Sequence, residues 1–371
     1  MLLVEFVHGP RGAEPLLSEW NALFEALPGR SHAQSHGWVM QQLRYLEPDP
    51  QSVQVAVVRE AGETVAIVPL RYAPRRMGPF TIASWSLLWD PHATLSPMLL
   101  APRADRVGVI EAIMVELRRT RRHCDQVVLP SVLDDGSIHG AWATDGPRIV
   151  VHPCRQSMRF STVSAESALA SSSTHFRRNL ARQRRKLATL GAVELDLAIG
   201  PEGATSAFTT FLDLEASGWK GANGTGSAIR LDPKLVEFYA GLIDGIHPRQ
   251  QVWIATLRLD GRPVACDFCI RTDDTLAVLK VSYDESLRQA APGNVLLAML
   301  IEACVADPGI AWLSLVTGPA WAEVWHPQEV RVHSLAMFAP TLRGRVLHAL
   351  VQGKRALGRL RRRSNEAPRQ P

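Results

Sequence analysis

Two stretches of this chain carry the same β-hairpin, 199 residues apart. Residues 53–71 read VQVAVVREAGETVAIVPLR and residues 252–271 read VWIATLRLDGRPVACDFCIR. At that constant spacing Val53, Ala56, Arg59, Gly62, Val65 and Ala66 match Val252, Ala255, Arg258, Gly261, Val264 and Ala265. Each stretch is an apolar strand, a turn (Glu-Ala-Gly-Glu or Leu-Asp-Gly-Arg) and a second apolar strand. The context repeats too. A helical stretch with aromatic residues precedes each hairpin (20–46 and 208–246), and a strand and then a helix follow (107–122 and 294–306). These observations predict two α/β units, 1–155 and 156–340, followed by a tail, 341–371. The small, polar segment SAESALASSST, 164–174, links the units or opens the second.

The length agrees with two domains, since 371 residues is long for one. With 46% apolar and 21% charged residues the composition is that of a folded globular chain. No apolar run reaches the ~18 residues of a membrane span, and MLLVEFVHGPRG lacks the pattern of a signal peptide. The expectation is a cytoplasmic protein. Cys124, Cys154, Cys266, Cys269 and Cys304 read as reduced thiols. Cys266 and Cys269 form a C-x-x-C inside the strand VACDFCI, where residues three apart face opposite sides of a sheet and make a poor zinc knuckle. His32 and His36 have no further ligands nearby, so no metal site is expected. The net charge of +5 is uneven. Residues 341–371 hold nine Lys/Arg and one Glu, and the remaining chain has 32 basic and 35 acidic residues. The basicity belongs to the tail, and nucleic-acid binding by the core gains little from it.

Four stretches of the second unit, taken in order, resemble the CelD-like (BioF2-like) branch of the GNAT acetyltransferase superfamily. They are FRRNLARQRRKL (176–187), LEASGWKGANGTGSAI (214–229), LKVSYDESLRQAAPGNVLLAMLIEA (279–303) and WLSLVTGPAWAEVWH (312–326). SHGWVMQQL and VAIVPLRY in the first unit are similar to the N-terminal half of such proteins. The resemblance implies an α/β (α+β) fold of tandem GNAT units, mixed sheets flanked by helices, related to the Fem peptidyltransferases. It also implies an acyl-CoA donor, in practice acetyl-CoA. Two positions depart from the pattern: Ser314 stands where relatives often have an acid, and Trp321-Ala322 where they often have Tyr-Lys.

The residues permit a physical reading of the implied site. In TLAVLKVSYDESLRQAAPGNVLLAML a strand leads through a Pro-Gly turn into an apolar helix. A helix N-terminus offers unpaired N–H groups and the positive end of a dipole, which suit a pyrophosphate. An ordinary strand–loop–helix fits the same residues, and the resemblance favours a CoA site made by Arg288, Gln289, Pro292, Gly293, Asn294 and Val295. Candidates for proton transfer are Asp267, Lys280, Tyr283 and Asp284, with His326 a further possibility. Trp219 and Lys220, ahead of the glycine-rich loop GANGTG, read as a mobile lid touching substrate. The Arg-rich helix HFRRNLARQRRKLATLG, with Ser173 or Thr174 as N-cap and Gly191 as its stop, could hold the 3′-phosphate of CoA, an anionic acceptor or RNA. The first unit has no matching Pro-Gly loop and is expected to be non-catalytic.

The expected activity is acyl transfer from CoA to an amine or hydroxyl of a small or polymeric acceptor, such as a saccharide in polysaccharide or envelope metabolism. The alternatives are a Fem-like transferase using aminoacyl-tRNA and an inactive tandem GNAT that binds an anionic partner. In the tail, Leu342, Val346, Leu347, Leu350, Val351, Leu357 and Leu360 form an apolar stripe among basic residues. That is the pattern of a helix lying on an anionic membrane, or of a helix that docks its stripe on the second unit.

Overall fold

The computed structural model describes residues 1–77, 80–92, 94–120, 123–134, 142, 148–164, 169 and 172–366. The linker expectation for 164–174 falls largely outside these residues, as does the side chain of Cys154.

The first half runs β1 (Leu2–His8), α1 (Gly9–Ala13), α2 (Leu17–Ala26), α3 (His36–Gln41), β2 (Gln54–Glu60) and β3 (Glu63–Tyr72). It continues through a small hairpin, β4 (Arg75–Met77) and β5 (Phe80–Ile82), then β6 (Ser84–Leu87), β7 (Leu99–Leu100), α4 (Arg106–Arg119), β8 (Gln126–Leu133) and β9 (Ile149–Ser161). The second half runs α5 (Thr174–Ala188), β10 (Val193–Ile199), α6 (Gly200–Ser217), α7 (Pro233–Gly245), β11 (Gln250–Leu259), β12 (Arg262–Thr272) and β13 (Thr275–Tyr283). It ends with α8 (Pro292–Ala306), β14 (Trp312–Ser314), β15 (Gln328–Phe338) and α9 (Leu342–Glu366).

Both expected hairpins form, and their turns are built alike. Ala61-Gly62 and Asp260-Gly261 all have positive φ, the conformation of a two-residue turn that matches strand twist. Each hairpin has a register shift beside its matched arginine, at Val58/Arg59 and at Leu257/Arg258. The matched arginines reach back to acids on the neighbouring strand, Arg59 to Glu5 at 2.8 Å and Arg258 to Asp196 at 2.9 Å. The repeat extends further than the hairpins. Gly9-Pro10-Arg11-Gly12-Ala13 after β1 and Gly200-Pro201-Glu202-Gly203-Ala204 after β10 open their helices identically. Gly9 and Gly200 sit at φ +58° and +73°, where a side chain would be strained, and Ala13 and Ala204 are fully buried.

One mixed sheet carries both halves, in the order β1-β2-β3-β6-β8-β15-β9-β14-β13-β12-β11-β10, with β7 on β3. At its centre the halves exchange strands: β15 lies between β8 and β9, and β9 also pairs with β14. The boundary expected between residues 155 and 156 falls inside β9. In the second half α8 and α5 cover one face of the sheet, where Leu296, Leu300, Phe176 and Leu187 share a core with Cys269. The other face belongs to a core that joins Phe211, Tyr239, Phe268 and Cys266 with Trp38 of the first half. Cys266 and Cys269 therefore point to opposite faces. Cys124, Cys266, Cys269 and Cys304 are free thiols. No helix among the described residues is long and apolar enough to cross a membrane.

Candidate functional site

The site arises from a mismatch of strand lengths. β13 pairs in parallel with β14 only from Thr275 to Ala277, opposite Trp312 to Ser314. β14 then stops, while β13 continues to Tyr283. Of the stretch 312–326 only Trp312–Ser314 is a strand; a turn and a 3-10 helix at Ala320–Trp325 follow. A wedge opens where the strands part, and it holds a cavity of about 360 Å³. β13 lines it with Val278, Val281, Ser282 and Tyr283, and the start of α8 with Gly293, Asn294 and Leu297. Arg288, Ala291, Leu315, Trp219, Trp321 and Asp267 complete the wall. The carbonyl of Val281 accepts a hydrogen bond from Lys220 Nζ at 2.9 Å, so it faces away from β12. A strand residue's N–H and C=O point to the same side. The Val281 N–H therefore faces the wedge as well.

The loop from β13 to α8 is fixed at both ends. Asp284 caps the 3-10 turn Glu285–Ala290, accepting from Ser286 N–H at 2.9 Å and Ser286 Oγ at 2.6 Å and pairing with Arg262. Burial raises its pKa, but these bonds outweigh that and hold its carboxyl below the usual range. Asp284 is a structural cap with its carboxyl engaged. Ala291 adopts the left-handed conformation, φ 49°, and turns the chain into α8 at Pro292. Asn294 and Val295 N–H both donate to the Ala291 carbonyl. Gly293 lies where a Cβ would touch the Tyr283 ring at 3.6 Å, so a larger side chain would enter the cavity.

The Arg-rich helix α5 lies beside this loop. Ser173 is its N-cap, accepting from Phe176 N–H at 3.1 Å, and Phe176, Leu180 and Leu187 seat it on the core. Lys186 donates to the carbonyl and the side chain of Gln289, and Asn294 Nδ2 donates to Gln183 at 3.4 Å. Arg184 pairs with Glu302 of α8 at 2.7 Å. Arg177, Arg178, Arg182 and Arg185 are exposed.

The remaining candidates separate. Asp267 is 3% exposed and lines the cavity; its carboxyl has no hydrogen bond among the described residues. Burial pushes its pKa up to about 8, against the pull of Lys220. Tyr283 also lines the cavity. Lys280 does not; it pairs in register with Phe268 and faces the opposite side of β13, 5.9 Å from the Tyr239 ring. Burial and Lys220 lower its pKa to about 8. There it meets residues that the sequence reading missed. His92 Nδ1 lies 3.0 Å from Tyr239 Oη, and burial together with Lys280 lowers the His92 pKa to about 4. The first half thus brings a neutral imidazole to the far face of the second half's central strand. Trp219 reaches the cavity, but Lys220, itself partly buried, turns inward to the buried Glu215 at 2.8 Å. The expected mobile lid is instead a loop tied by its own backbone: Gly221, Gly224, Thr225, Gly226 and Ala228 all donate to carbonyls between Gly218 and Gly221. Its glycines are required by close approach, since a Cβ on Gly224 would sit 1.9 Å from the Trp219 carbonyl. His326 is exposed at the end of its 3-10 turn, away from the cavity wall.

A second cavity, about 920 Å³, occupies the junction of the halves. Ala277 and Val316 line it, next in sequence to Val278 and Leu315 of the first, so the two cavities lie on opposite faces at the apex of the wedge. Its wall includes Arg30 paired with Asp273, His32, Asp134, and Arg159 stacked 3.8 Å from the Trp312 ring.

Residues 174–326 match the family model of the acetyltransferase (GNAT) domain. No curated protein sequence matches the chain. Among solved structures, FemX is similar over 94% of this chain and 99% of its own, at 10% identity and a TM-score of 0.54. L-PGS from Bacillus licheniformis is similar over 94% and 98%, at 12% identity and 0.53. A conserved protein of unknown function from Bacteroides thetaiotaomicron is similar over 87% and 97%, at 14% identity and 0.53. Residues 174–326 thus match a GNAT-type acetyltransferase domain, and one mixed sheet joins them to a first half built on the same plan.

Proposed function

We propose that the second half transfers an acyl group, acetyl in the first instance, from acyl-CoA to an amine or hydroxyl acceptor. The observation that carries this reading is the wedge cavity, which sets an unpartnered buried carboxyl, Asp267, beside the N-terminus of α8. In this reading the pyrophosphate lies on the start of α8, between Arg288 and the basic side of α5, where the dipole and free cations favour negative charge. The pantetheine arm enters the wedge between Val278, Leu297 and Leu315, and Trp219 and Trp321 close over it. The Val281 N–H donates to the thioester carbonyl and stabilises the oxyanion as it forms. Asp267 takes the proton as the acceptor's lone pair attacks the carbonyl carbon. It returns that proton to sulfur when the C–S bond breaks, leaving acylated acceptor and free CoA. The acceptor approaches from the larger cavity on the other face, whose mixture of Arg, Asp, His and Trp suits a polar, saccharide-like molecule. The resemblance to the CelD-like branch points to a polysaccharide or envelope precursor.

The test is acetyl-CoA binding by calorimetry, followed by thiol release against pooled amines and sugars. Gly293→Val is expected to weaken acetyl-CoA binding at least tenfold while leaving the thermal midpoint unchanged. Undiminished affinity in the folded variant would remove the donor site from α8. No acetyl-CoA binding by the native chain would favour aminoacyl transfer from tRNA or a non-catalytic binding role.

A further inference from the structure

The closing helix α9 buries only one of its faces. Leu347 is 4% exposed and packs with Ile82, Val150 and Phe338, and Val351 rests on the same cluster. Arg355 donates to the Val151 carbonyl at 2.7 Å, and Arg343 pairs with Asp125 at 3.1 Å. These contacts anchor the helix on β9 and β15. A second apolar line on the same helix touches nothing that would bury it. Leu342, Val346, Leu350 and Leu357 are 82%, 51%, 49% and 62% exposed. At ~100° per residue these four fall within about 80° of arc. The single stripe expected from the sequence is thus two: one docked on the sheet, one facing outward. A helix docked by one face ordinarily turns polar residues outward; this one turns out leucine and valine.

Basic residues surround the outward line. Arg345 and Lys354 are exposed and make no ion pair among the described residues. The sequence adds Arg359, Arg361, Arg362 and Arg363, with no acid before Glu366. The β4–β5 hairpin joins the patch: Ile82 packs with Leu347, Arg343 donates to the Thr81 carbonyl, and Phe80, Arg75 and Arg76 are exposed.

We propose that this face of α9 lies on an anionic lipid surface, with Leu342, Val346, Leu350 and Leu357 at the headgroup boundary and the flanking cations on the headgroups. Charge complementarity selects this occupant. A second copy of the chain would bring the same basic flanks together around the stripe. Nucleic acid would meet the cations but leave the aliphatic stripe exposed, with no aromatic residue on the helix for base stacking. The inference is independent of the acyl-transfer reading.

The experiment is co-sedimentation of the full chain with vesicles of equal parts phosphatidylglycerol and phosphatidylcholine, and with phosphatidylcholine alone. Binding is expected to the first and at least tenfold weaker to the second. It should also fall when salt rises to ~1 M, where the screening length is only ~3 Å. Val346→Asp combined with Leu350→Asp should weaken binding at least tenfold with the circular dichroism and thermal midpoint unchanged. Val346→Ser with Leu350→Ser serves if the acidic pair disturbs folding. Arg345→Glu with Lys354→Glu should weaken binding to the anionic vesicles only. The proposal is overturned if the native chain binds neither vesicle, or if the stripe variants bind like the native chain. It is equally overturned if sedimentation velocity finds a dimer that the stripe variants dissolve, because the stripe is then a self-interface.

Discussion

Asp267 shows how one residue's environment sets its chemistry. In the sequence it stands out as the lone acid in VACDFCI, and strand alternation sets it opposite Cys266. Its pKa near 8 was not legible there, because it depends on α8 and β13 closing over it from distant parts of the chain. The shift has two consequences. Proton abstraction needs the carboxylate, so turnover should rise with pH through about 8. Stability runs the other way. The unfolded chain loses this proton near pH 4 and the folded chain keeps it until about 8, so the favourable contribution is complete at acid pH and is lost as pH rises through that window. Asp267→Asn should abolish turnover, keep acetyl-CoA binding, and be more stable than the native chain at pH 8 by ~1 kcal/mol or more, each pKa unit being worth about 1.4. Thiol-release assays and thermal scans across pH 5–9 check both; normal turnover by the Asn variant would remove Asp267 from the chemistry. Lys280 and Asp284 illustrate the limits of the sequence. Alternation places Lys280 opposite Val281 but does not reveal which face meets the donor, and Asp284 next to Ser286 is as readable as a cap as it is as a base. His92 carried no local signal at all. Its partners Tyr239 and Lys280 belong to the other half.

At the scale of elements, the Arg-rich helix was legible as an amphipathic helix with a Ser cap, and α5 follows that reading to within a residue or two. What the sequence withheld was its neighbour. Its side chains at 186 and 183 touch the β13–α8 loop and the first turn of α8, so its cations flank the place proposed for CoA. Arg182→Ala with Lys186→Ala is therefore expected to weaken CoA binding about three- to tenfold, the effect of one or two partly exposed charge-assisted contacts of ~1 kcal/mol. The loss should be smaller for dephospho-CoA, which lacks the 3′-phosphate. Calorimetry with both ligands decides this, and equal losses would place the cations on the pyrophosphate alone. The repeated Gly-Pro-x-Gly-Ala turn is written in the sequence, but out of step with the hairpin repeat. It recurs at 191 residues, not 199, because the second half takes eight more residues to reach its hairpin. Equivalent helical regions are free to differ in length, while the turn and hairpin that fix the strands are not.

At the scale of the whole molecule, duplication was legible but fusion was not. Hairpin, helix and turn signals are local, whereas the pairing of β15 with β8 and of β9 with β14 joins segments whose sequences give no sign of each other. That exchange makes each half incomplete alone. Removing the first half would leave β14 and one edge of β15 without β9, and removing the second would leave β8 without β15. Each would expose a row of unpaired backbone groups at the centre of the native sheet, a costly loss and a template for aggregation. The core on one face of the second half also includes Trp38, Ala33 and Leu95 of the first. The chain should consequently unfold as one cooperative unit, with calorimetric and van't Hoff enthalpies in agreement. On the proposed donor site, acetyl-CoA bound to the second half alone should then raise the single midpoint for both halves together, by linkage to the whole. Two separable transitions, or a ligand shift confined to one of them, would mean that the central strands do not couple the halves. In that case the cavity between them would be free to open and close without unfolding either side.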